Sequence, residues 1–101
     1  MRIIVFFDLP TLTSANRREY SRFRKYLLKN GFLMMQESVY CKLALNPTAS
    51  DAIMANVKKN KPAEGLVQML TITEKQFSKI EFVVGSCMTD LVNSVDRLVV
   101  L

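Results

Sequence analysis

The chain has 101 residues, half of them apolar, with fourteen lysines and arginines against nine aspartates and glutamates, a net charge of +5 and no histidine. That length suits one domain around one core, and the charge favours a polyanionic partner. Without histidine there is no Ser-His or Cys-His nucleophile pair and no histidine-ligated zinc, so any chemistry must use carboxylates, metals or bound water.

The first stretch, IIVFFDLP at 3–10, is a continuous apolar run that stops at an aspartate and a proline. It predicts a strand from Arg2 to Phe7, buried on both faces, with Asp8 at its exposed C-terminal end. The run is too short for a secretion signal or a membrane span, so no membrane role is expected. Leu9 to Thr13 reads as a turn. A helix follows, entered between Thr13 and Asn16 with Asn16 and Glu19 as a capping pair, and ending at Asn30-Gly31. Tyr20, Phe23 and Leu27 fall on its apolar side, and Arg18, Arg22, Lys25 and Lys29 on the other.

FLMM at 32–35 and SVYCKLA at 38–44 are strand-like, and Gln36-Glu37 between them suits a hairpin connection or a bulge in one long strand, the hairpin being favoured. Cys41, in the second of these, and Cys87 form no metal-ligand or redox spacing, which predicts a reduced, cytoplasmic chain. Asn46-Pro47 opens a second helix with Ser50 or Thr48 as cap, a buried stripe of Ile53, Met54 and Val57, and a stop at Asn60-Lys61-Pro62. Leu66 to Thr73 is the next strand. The order βαββαβ predicts an α+β, ferredoxin-like sandwich at 1–80, with two helices on one sheet face and the other face open. Beyond it, a polar turn, strand-like EFVVG at 81–85, a segment at 86–94 and a terminal strand RLVVL make an 81–101 extension. A terminal apolar strand either pairs with a second chain, giving a symmetric homodimer, or extends its own sheet.

Arg17, Arg18, Arg22, Arg24, Lys25 and Lys29 lie within thirteen residues that hold one acid, Glu19. Such a stretch suits nucleic-acid phosphate, against the plainer reading of a solvated helix face. Asp8 alone cannot hold a hard cation, but a two-fold pair of Asp8 carboxylates can hold magnesium or manganese against a phosphodiester. Against this, an Asp that caps the turn before Leu9-Pro10 explains the residue without catalysis. Phe6 and Phe7 suggest the rival of a non-catalytic RNA-recognition-motif-type module. SVYCKLA lacks the basic-Gly-aromatic run such a module needs, and both rings are expected in the core.

IIVFFDLP, the arginine-rich helix, QESVY at 36–40, LTITEKQF at 70–77 and the Ser-x-Asp-Arg with a final apolar strand together resemble the CRISPR-associated Cas-two family, particularly its type II form. The resemblance spans almost the whole chain. It implies a ferredoxin-like homodimer that bridges copies of the Cas-one integrase during spacer acquisition and binds duplex prespacer DNA, with RNA as another substrate. It also implies a magnesium-dependent endonuclease in which Asp8 is both the catalytic residue and the metal ligand. Arg17, Arg18, Arg22 and the neighbouring cations would then follow the phosphate backbone, and the terminal strand would serve dimerisation and integrase docking.

Overall fold

The computed structural model describes residues 1–85, and the expected segment 86–94 and strand 97–101 lie outside the described residues. Its elements are β1 (Arg2–Asp8), α1 (Ser14–Lys29), β2 (Leu33–Gln36), β3 (Val39–Leu43), α2 (Pro47–Lys59), β4 (Leu66–Ile72) and a single-turn α3 (Glu74–Phe77). The four strands form one antiparallel sheet in the order β2-β3-β1-β4. This is the ferredoxin-like α+β sandwich that the order of elements predicts.

The helix starts follow cap chemistry, at residues other than those expected. Thr13, not Asn16, caps α1, and it forms a reciprocal box with the Asn16 side chain. Asn46, not Ser50 or Thr48, caps α2 by accepting from the Ala49 N–H at 2.8 Å, and Pro47 follows as the first helical residue. The reason is common to both. An N-cap needs extended backbone before the first turn, which Thr13 and Asn46 have, while Asn16 and Ser50 already lie inside the helices. Ser50 is instead buried.

The hairpin between β2 and β3 turns through Glu37 and Ser38, and the register shifts between Met34 and Gln36, so this stretch holds both a hairpin and a bulge. Ser38 takes a φ of 66°, the left-handed conformation that tight hairpins need.

Alternation along β1 sorts its side chains. Ile3, Val5 and Phe7 enter the main core with Phe23 and Leu27 of α1, Val57 of α2, Phe32 and Tyr40. Ile4 faces the other way and packs with Cys41 and Phe77, flanked by Phe6, Met35, Val39 and Ile72. Phe6 and Phe7 therefore lie on opposite faces, and only Phe7, edge-on to Tyr20 and Phe23 and stacked on Tyr40, joins the main core.

The face opposite α1 and α2 is only partly covered. α3 closes over one end of it, where a polar turn was expected, because Thr73 caps it and Phe77 buries against Ile4 and Cys41. Arg2 locks it there: its Nε donates to both carboxylate oxygens of Glu74, at 3.2 and 2.9 Å, and its guanidinium lies 4.3 Å from the centroid of the Phe77 ring. Burial works to lower the Arg2 pKa, but the hydrogen bond and charge of Glu74 outweigh it and raise the value. The guanidinium stays charged.

Among the described residues nothing covers the rest of that face. Leu33, Leu43, Leu66 and Leu70 are all exposed, Leu66 at 55%. Residues 81–85, expected as a strand, form none, and Val83 and Val84 are each 91% exposed. Their composition suits a strand, but no ladder partner runs beside them among the described residues. Arg2→Ala should remove the clamp on α3 and lower the stability by about 2 kcal/mol, read from urea unfolding. An unchanged midpoint would mean that Phe77 burial alone holds α3.

Candidate nucleic-acid interface

Residues paired across an antiparallel ladder share a face. Arg2, Ile4, Phe6 and Asp8 of β1 oppose Ile72, Leu70, Gln68 and Leu66 of β4 in turn, so Asp8 stands at the end of the bare apolar face. Its side chain is exposed, and among the described residues nothing hydrogen-bonds or ion-pairs with its carboxylate. It does not cap the turn before Pro10, and that explanation of the residue falls. The carboxylate rims a shallow cleft of about 160 Å³ between Phe6, Ser38, Val39, Leu66 and Gln68.

The strand end that carries it is firmly built. The Phe7 N–H donates to the Ser38 carbonyl at 3.0 Å, and Leu9 is buried. Gly65 packs its backbone against the same corner with a φ of 100°, and a Cβ there would stand 2.9 Å from the Asp8 carbonyl oxygen and 2.6 Å from a Leu9 methyl.

Among the described residues, no three His, Cys, Asp or Glu side chains gather as metal ligands. Magnesium nevertheless binds through as few as one or two carboxylates, completed by water and substrate phosphate. One chain brings one such oxygen ligand to this corner, and a second chain facing it would bring the other. The donor set fits a hard cation only as a pair.

The six predicted cations of α1 do not form one stripe. Arg17 turns back to donate to the Thr11 and Leu12 carbonyls, tying down the loop after Asp8. Arg22 bonds both carboxylate oxygens of Glu19 and reaches the Asn60 and Lys61 carbonyls at 3.2–3.3 Å, where it satisfies the C-terminal end of α2. The same hydrogen bonds hold the Glu19 carboxyl below its usual range. Arg24 is half-buried and turns to Tyr40, whose hydroxyl burial pushes up in pKa although Arg24 opposes the shift. Arg18, Lys25 and Lys29 are exposed and, among the described residues, have no hydrogen-bonding or ion-pairing side-chain partner. α1 runs back along the sheet from the Asp8 end. At 1.5 Å per residue Lys29 lies roughly 16 Å along the helix from Arg18, so Arg17, Arg18 and Arg22 share the Asp8 end of the molecule and Lys29 does not.

One basic group went unread in the sequence. Of the lysines in KKNK at 58–61 only Lys61 enters the sequence reading, as part of the Asn60-Lys61-Pro62 stop, yet Lys58, Lys59 and Lys61 are all exposed at the end of α2, where Arg22 reaches the Asn60 and Lys61 carbonyls. The signal was present as three lysines in four residues without an acid. A groove of about 420 Å³ beneath this corner, lined by Pro10, Thr13, Glu19, Pro62 and Glu64, carries the opposite sign and does not belong to the cationic surface.

The sequence model of the family described as CRISPR associated protein Cas2 matches residues 1–80. A protein of Treponema denticola named CRISPR-associated endoribonuclease Cas2 is 57% identical over 101 residues, covering both chains completely. A Streptococcus mutans protein of the same name is 48% identical over 101 residues, all of this chain and 93% of that one. The crystal structure of Streptococcus pyogenes Cas2 at pH 6.5 superposes with a TM-score of 0.62 at 19% identity, over 84% of this chain and all of the other, a likeness of fold. Among the described residues no helix is long and apolar enough to cross a membrane.

Gly65→Ala should cost about 2 kcal/mol or more and displace the end of β1, because the new methyl meets backbone and the left-handed φ disfavours a side chain. Thermal unfolding, with amide shifts at Asp8 and Leu9, checks this. An unshifted spectrum at full stability would show that the corner yields freely.

Proposed function

This chain belongs to the CRISPR-associated Cas2 family, and we propose that it acts as a homodimeric bridge in spacer acquisition, binding duplex prespacer DNA by its backbone and joining copies of the Cas-one integrase. The observation that carries the proposal is the apolar sheet face that no described residue covers, ending in Asp8, whose carboxylate has no partner among the described residues. An exposed apolar face of this kind is a liability in a lone chain and an interface in a pair. Two chains meeting there place their basic ends on the outside, free to follow phosphate. The 81–101 extension, apolar in its exposed Phe82, Val83 and Val84, serves the dimer and integrase docking.

A second reading, endonuclease activity, rests on Asp8 and on the name endoribonuclease carried by the relatives. Two Asp8 carboxylates, one from each chain, would hold magnesium or manganese, which when bound supplies charge neutralisation at a phosphodiester and lowers the pKa of water. The chain's own groups do the remaining work. Arg18 and its neighbours orient the phosphates, and with no histidine in the sequence a carboxylate at this corner, such as Asp8, or water takes the proton. The RNA-recognition alternative has little left to stand on, because Phe6 and Phe7 lie on opposite faces and cannot form one stacking platform.

The two readings separate at one residue. Asp8→Ala should abolish divalent-dependent cleavage of RNA or duplex DNA, as chelation should in the parent protein, while spacer capture in cells continues. Cleavage that survives the substitution would remove the metal site. Loss of spacer capture by a folded variant would make catalysis, not bridging, the biological role.

A further inference from the structure

We propose that Lys58, Lys59 and Lys61, at the C-terminal end of α2, form with Arg18 a second cationic shelf that grips the phosphate backbone of duplex DNA. This extends the duplex-binding reading of the preceding subsection and rests on it.

Arg22 joins the two helices. Its guanidinium reaches the Asn60 carbonyl at 3.3 Å and the Lys61 carbonyl at 3.2 Å, which fixes the end of α2 against the first half of α1. Lys58 and Lys59 in the last turn of α2, Lys61 just past its cap, and Arg18, four residues before Arg22 on α1, are thereby held at one end of the sandwich. That end also carries Asp8, since Gly65 follows α2 and packs on the Asp8 carbonyl. Arg22 spends its own donors on this join and on Glu19, so it builds the shelf without belonging to it.

The charges on the shelf are available. Lys58, Lys59, Lys61 and Arg18 are exposed and, among the described residues, have no hydrogen-bonding or ion-pairing side-chain partner. Of the acids at this end, Glu19 is paired with Arg22, at 3.1 and 3.2 Å, and Glu64 accepts from the Asn16 amide at 3.1 Å, while Asp8 stands apart on the sheet face opposite the helices. Lysines in a last helical turn also complement the helix dipole, but that effect is confined to the final turn, and Lys61 lies beyond the Asn60 cap. Exposed ammonium groups on a helix end, beside an arginine, suit a repeating phosphate backbone, and charge contacts of this kind give no sequence preference.

The test is the salt dependence of duplex binding. Parent protein, a Lys58→Gln/Lys59→Gln/Lys61→Gln variant and an Arg18→Gln/Lys25→Gln variant are titrated with one duplex DNA over a range of salt, with thermal unfolding to confirm that each folds. Each phosphate contact contributes about 0.9 to the slope of log K against log salt, so the triple variant should lose about 2 to 3 units of slope and bind at least about tenfold more weakly at low salt. The matching triple Lys→Arg variant should keep the parent slope. If the triple Gln variant keeps the parent slope while the α1 variant loses it, the lysines are only helix-end charges and the shelf is refuted on its own. If the parent protein binds no duplex, the shelf falls together with the reading beneath it.

Discussion

The placement of β1 between β3 and β4 governs the rest of the molecule. Hydrogen-bonded on both sides, this strand must be extended and buried, and its strict alternation sends Ile3, Val5 and Phe7 to the helices and Arg2, Ile4, Phe6 and Asp8 to the opposite face. A shift of one residue would exchange those two sets, putting a carboxylate and a guanidinium into the main core. The register therefore fixes two things at once, the packing of α1 and α2 and the position of the one carboxylate that ends the strand, on a surface that no other described residue covers.

The two ends of that uncovered face are treated differently. At one end Arg2 is buried to 6% exposure and neutralised by Glu74, and α3 folds over it; at the other Asp8 is exposed and has no partner among the described residues. Charge that serves structure is paired. Charge left unpaired at the end of an apolar surface is available to something outside the chain, and the same contrast separates Arg17 and Arg22, spent on backbone carbonyls, from Arg18 and the α2 lysines.

Much of the fold was legible because local chemistry and pattern agreed. The continuous apolar run of β1, the Asn30-Gly31 stop and the Pro47 start each have one physical reading, and the structure keeps them. The caps were misplaced by a few residues because Asn16 and Ser50 resemble cap residues, and only the backbone before the first turn tells a cap from a third position. The strand expected at 81–85 failed for a deeper reason: strand propensity describes a surface and not a pairing, and among the described residues 81–85 pair with neither edge strand, β2 or β4. The site was legible in part. Asp8 stood out by contrast with its neighbours, but which arginines face solvent depends on contacts with Thr11, Tyr40 and Asn60, none of which helical spacing reveals. KKNK was overlooked because its nearness to Arg18 exists only once Arg22 has joined the two helices.

The proposed dimer brings two chains together across the face that the described residues leave uncovered, with their Asp8 side chains adjacent. A variant with Asp8→Cys, and with Cys41 and Cys87 replaced by alanine, can be treated with a short bis-maleimide cross-linker beside a control that carries Lys25→Cys on the helix layer instead. Efficient conversion of the Asp8→Cys protein, and not of the control, to a covalent pair of chains is the expected result. A protein that is folded and labelled at position 8 yet remains a single chain would contradict it.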